Sequence, residues 1–98
     1  MSDLDEQSHY RRTQLAIMAA SGLSSQQKLL LIAISNSTKD DEFGMLTADE
    51  LQKATVLSAG IVSRVTQELA DTGVLFVVLK PGDDPRYRID LETLTGLA

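Results

Sequence analysis

The sequence predicts a single α+β domain: a leading helix, a three-helix core and a C-terminal β-hairpin. Three observations predict it. Side-chain patterns that start helices recur ahead of apolar residues spaced three and four apart. A β-branched run, a turn cluster and an alternating run then follow one another near the end. Finally, a chain of 98 residues buries one modest core, which leaves no material for a second domain.

The leading helix occupies residues 1–22 as a docking or dimerisation element, and the remaining domain occupies 23–98. From Asp3 to about Ser21 the composition favours helix, with acids in the first turn and Gly22 as a stop. Its first half is polar apart from Leu4 and Tyr10. Leu15, Ile17, Met18 and Ala19 make the second half adhesive. Ser24 with Gln27 forms a capping box that opens a second helix, and the run Leu29 to Ile34 makes it the central core helix, ending in Ser35 to Thr38. A polar loop follows from Lys39 to Gly44. Met45 and Leu46 stand where a very short strand can pair with the later hairpin. Thr47 and Glu50 form a second capping box, opening a short helix to about Ala54, with Asp49 four residues before Lys53 as an ion-pair spacing. Ser58 caps a fourth helix with a buried stripe of Val62, Val65 and Leu69, closed by Gly73. Val74 to Lys80, the turn Pro81 to Pro85 and Arg86 to Leu91 read as a hairpin. Leu91, Leu94 and Leu97 then fall at helical spacing, so the tail from Glu92 to Ala98 is expected to form one last helical turn or two. The expected core is Leu30, Ile34, Leu51, Val62, Val65, Leu69, Val74 and Val78 or its neighbour.

Composition excludes several kinds of chemistry. Apolar residues make up 43% and charged residues 23%, as in an ordinary globule, and with two Tyr and two Phe the core must rest on aliphatic side chains. Cysteine is absent and His9 is the single histidine, so no disulfide, zinc site or other cofactor is expected. An enzyme is not expected either: no nucleophile, base and metal cluster converge, and neither Gly60 nor Gly73 has the spacing of a phosphate-binding loop. Leu29 to Ile34 is too short to span a bilayer and the acidic Met1 to Gln7 is unlike a signal peptide, so a cytoplasmic protein without membrane contact is expected.

Leu51, Ser58, the trio Val62-Ser63-Arg64, Leu69 and Gly73, followed by a hairpin, resemble the winged helix-turn-helix family of bacterial, phage and plasmid regulators and replication proteins. The likeness covers roughly residues 24 to 91 and rests on pattern. It implies a DNA-binding protein, a transcription regulator or replication accessory, that places a recognition helix of about 58–72 in the major groove of double-stranded DNA. The exposed positions of that helix then fall on Ala59, Gly60, Ser63, Arg64 and Gln67, and the wing on Lys80 to Arg88. Small Ala59 and Gly60 let the backbone approach. Arg64 can bond guanine and Gln67 adenine, while Ser58 and Ser63 suit phosphates. Lys80, Arg86 and Arg88 can reach the DNA backbone from the wing. A homodimer joined by the leading helix would gather more base contacts than one copy.

Departures from the family pattern stand beside these. Gln52 replaces a common alanine, Val56 holds a turn position often given to glycine, and Asp83 and Asp84 put negative charge at the wing tip. The net charge of −5 opposes approach to a polyanion, although the acids Asp3, Asp5, Glu6, Asp40, Asp41 and Glu42 lie outside the segment that would face DNA. Acidity favours a rival reading: the same fold as a protein-interaction module, docking on a replication, segregation or transcription partner or inhibiting a nucleic-acid enzyme. Single residues also have plain readings. Arg64 sits four residues before Glu68 and can pair with it, Gln67 can be an ordinary surface residue, and Ser58 is first a helix cap. Arg11 and Arg12 can touch DNA or pair with Asp5 or Glu6, and His9 reads as a surface histidine.

Overall fold

A computed structural model describes residues 2–37, 44–82 and 85–97, with side chains from Arg11 onward except those of Gly44 and Met45. The order is α1 (Ser2–Ala19), α2 (Ser25–Ser37), β1 (Gly44–Met45), α3 (Ala48–Thr55), α4 (Ala59–Asp71), β2 (Leu75–Val78), β3 (Arg86–Ile89) and α5 (Leu91–Thr95). The polar loop, the acids at 40–42 and the wing tip at Asp83 and Asp84 lie outside the described residues, as do the side chains of Leu4, Asp5, Glu6, His9 and Tyr10.

Local chemistry sets the helix starts. Gln27 N–H donates to Ser24 Oγ (3.2 Å) and Ser24 N–H to Gln27 Oε1 (2.8 Å), closing the box ahead of α2. Thr47 and Glu50 repeat it before α3, at 3.1 and 3.0 Å. Each box satisfies two backbone donors that a bare helix end would leave to water. Lys53 lies 3.9 Å from Asp49, an exposed pair of little energetic weight.

α2 is the central strut. Leu30, Leu31, Ile34 and Ser35 are buried along it, and it packs against α1, α3, α4, β1 and β3. Around it Ile17 of α1 and Ala20 just past its end, Leu51 of α3, Val62, Val65 and Leu69 of α4, Val74, Leu75 and Tyr87 of the hairpin, and Leu94 of α5 complete one core. The radius of gyration of 12.8 Å matches the ~13 Å expected of a folded chain of this length.

The leading helix docks by its second half: Ile17 and, just past the helix end, Ala20 are fully buried, and α1 packs on both α2 and α5. The helical spacing after the hairpin forms α5, whose Leu94, absent from the expected core, is fully buried. One expectation changes. The strand residue that closes the core is Leu75, while Val78 and Val77 are only half-buried. The register explains this. The antiparallel sheet runs β1-β3-β2, with Leu75 opposite Ile89 and Val77 opposite Tyr87 on the core face. Phe76 opposite Arg88 and Val78 opposite Arg86 therefore share the outer face. Tyr87 enters the core by its ring, and burial pushes its phenol pKa up.

Candidate nucleic-acid interface

α3 and α4 are joined by a three-residue turn whose geometry comes from Thr55 and Val56. The buried Thr55 hydroxyl donates to Leu51 O at 2.6 Å and accepts the Leu57 N–H at 3.4 Å, so one side chain links the end of α3 to the start of α4. Val56 ends α3 in the left-handed region, at φ 58° and ψ 28°, and is 89% exposed. A β-branched residue there pays about 1–2 kcal/mol in backbone strain, and an exposed side chain returns no packing. Val56→Gly should therefore raise stability by about 0.5–1 kcal/mol after allowing for glycine's freer unfolded chain, and the denaturant midpoint will read it. An unchanged midpoint would place the turn in another conformation.

Ser58 caps α4, accepting the Ile61 N–H at 3.4 Å. Glycine at 73, with φ +81°, lets the chain leave the helix for β2. Between these ends the helix divides cleanly. Val62, Val65 and Leu69 are buried, and Ser58, Ala59, Gly60, Ser63, Arg64 and Gln67 are all exposed. The first half of that outer face carries small and polar side chains with one cation. Its second half turns acidic with Glu68 and Asp71, and Gln67 Nε2 donates to Asp71 Oδ1 at 2.8 Å. A methyl added at Gly60 would meet nothing within 4 Å, so packing within this chain does not require glycine there.

Arg64 does not pair with Glu68. Its Nη2 donates to Gln26 Oε1 of α2 at 2.6 Å, while Glu68 accepts from Gln27 Nε2 at 3.3 Å. Both links cross from α4 to the first turn of α2, which the packing of the two helices brings within reach. Gln26 was not singled out by the sequence; its partner lies 38 residues away and no local pattern announces it.

No family model, curated protein or solved structure matches this chain.

The hairpin supplies a second set of cations. Lys80 and Arg86 are exposed, whereas Arg88 is half-buried with its guanidinium 5.8 Å from the centre of the Phe76 ring. Arg86 and Arg88 share the outer sheet face with Phe76, which is 45% exposed, and Leu79 beyond the strand is 73% exposed. This aromatic and aliphatic surface was missed at the level of sequence: every residue from Val74 to Leu79 is apolar, so the run does not reveal which of them point outward. Among the described residues no three His, Cys, Asp or Glu side chains gather in a way that could hold a metal ion, and no described helix is long and apolar enough to cross a membrane.

Proposed function

We propose that this chain is a winged helix-turn-helix protein that binds double-stranded DNA as a transcription regulator or replication accessory. In this reading α4 enters the major groove, Arg64 meets base edges, Ser58 and Ser63 contact phosphates, and Lys80, Arg86 and Arg88 hold the DNA backbone from the hairpin. The observation that carries it is the outer face of α4: capped at Ser58, backed by a fully packed stripe, and furnished with Ala59, Gly60, Ser63, Arg64 and Gln67. Small side chains at the start of a helix permit close approach, and one long bidentate donor one turn later supplies selectivity.

Gly60 gives this reading a sharp test. Gly60→Ala should stabilise the free protein by up to about 0.5–1 kcal/mol, since an added methyl meets nothing and glycine is a poor helix former. The same methyl should weaken binding to a pool of random duplexes, because the DNA backbone passes where glycine leaves room. Titrations at two salt concentrations separate groove readout from plain charge attraction. An acidic protein should bind modestly and lose affinity steeply as salt rises. Wild-type protein that leaves every duplex unbound at low salt would exclude the reading.

A second reading has its own support. Phe76 and Leu79 expose apolar surface on the hairpin beside Lys80 and Arg86, and Val56 exposes more at the turn. Such a surface suits a protein partner, and the chain's acidity suits a basic one. The duplex titration distinguishes the two, since an interaction module leaves DNA free.

A further inference from the structure

α1 carries two stripes of residues at helical spacing, and the core uses only one. Thr13 and Ile17 turn inward, as does Ala20 just past the helix end. Arg12, Leu15, Ala16 and Ala19, again three and four apart, line an open groove of about 620 Å³ whose far wall is Leu91, Glu92 and Thr95 of α5. Leu15 is 62% exposed and Met18, one turn later, 64%. Two large apolar side chains standing together in water beside an apolar groove favour burial by a partner.

The charges of the groove say which partner. Arg12 stands on one wall and Glu92 on the other, and neither makes an ion pair with any described side chain. A surface with one charge of each sign on opposite walls is complementary to itself. Under a two-fold axis, a contact from residue i to residue j repeats as j to i, so Arg12 of each copy meets Glu92 of the other. We propose that this groove is a homodimer interface, filled by α1 of a second copy of the chain, with Leu15 and Met18 of both copies closing over its apolar floor. A helix of 18 residues spans about 27 Å, long enough for an interface of the usual size, about 800 Å² from each partner. The apolar contacts supply affinity and the two reciprocal ion pairs fix orientation. This inference goes beyond the DNA reading and is independent of it, because the interface is measured without nucleic acid.

Sedimentation of the full chain across a range of concentrations tests it. A monomer–dimer equilibrium is expected. Leu15→Glu should give a monomer with an unchanged far-ultraviolet spectrum, since the side chain it replaces is exposed. Arg12→Glu and Glu92→Arg should each weaken the dimer by about tenfold or more, as each turns two attractions into two repulsions. The double variant Arg12→Glu/Glu92→Arg should recover most of that loss, which no peptide, lipid or unrelated protein in the groove would produce. A chain that stays monomeric at the highest concentration, whatever else the groove captures, overturns the proposal. So does a dimer indifferent to Leu15→Glu, or a double variant no better than the single ones.

Discussion

Leu69→Ala should lower the free energy of unfolding by about 2–5 kcal/mol, measured from the urea midpoint at constant slope. Leu69 is fully buried on α4, a helix that packs against both α2 and β2. Shortening it loses the transfer energy of the removed carbons and leaves a cavity that three elements would have to shift to fill, which a close-packed interior resists. Small domains have only about 5–15 kcal/mol in all, so the variant should be visibly less stable at room temperature. Leu79→Ala makes the contrast: that side chain is 73% exposed and its loss should change stability by no more than about 0.5 kcal/mol. Similar losses at both positions would mean that the face of α4 turned to the core has been misassigned.

Arg64→Ala should weaken binding to a preferred duplex by about 1–3 kcal/mol and relax its sequence preference, because the group lost is the one suited to a bidentate contact with guanine. Its bond to Gln26 matters to the size of the effect. A long side chain anchored at 2.6 Å to a neighbouring helix has already given up part of its rotational freedom, so less is lost when it meets a base. Arg86→Ala should behave differently. It should weaken all duplexes alike and flatten the dependence of log affinity on log salt by about one unit, the signature of one lost phosphate contact. Equal loss of preference at both positions would remove Arg64 from base readout. If neither change alters DNA binding and Arg64→Ala instead disrupts a protein complex, the interaction-module reading takes its place.

What the sequence made legible is what short-range chemistry decides. The boxes Ser24–Gln27 and Thr47–Glu50, the cap at Ser58 and the glycine at 73 each act on backbone within three residues, and all stand in the structure where the pattern put them. The stripe of α4 was readable because its neighbours alternate between apolar and polar. The hairpin run was not: with six apolar residues in succession, only pairing across to β3 selects Leu75 for the core and Phe76 for the surface. The burial of Leu94 escaped for a related reason, since three leucines at helical spacing do not say what they will meet. At the candidate site, which side chains are exposed followed from the helix period. The Arg64–Gln26 link did not, because it joins helices far apart in the chain.

The place of β3 between β1 and β2 bears on how readily this surface can change over generations. β3 holds hydrogen-bonded partners on both sides, and β1 leads within two residues to the cap of α3. The hairpin's attachment to the helices is thus secured by main-chain bonds and by the inward ring of Tyr87. Exposed side chains on the opposite face, Phe76 and Arg86 among them, take no part in that framework. Mutation can exchange them at little cost in folding, so descendants of this chain are free to acquire a new binding preference on the hairpin while inheriting an unaltered scaffold.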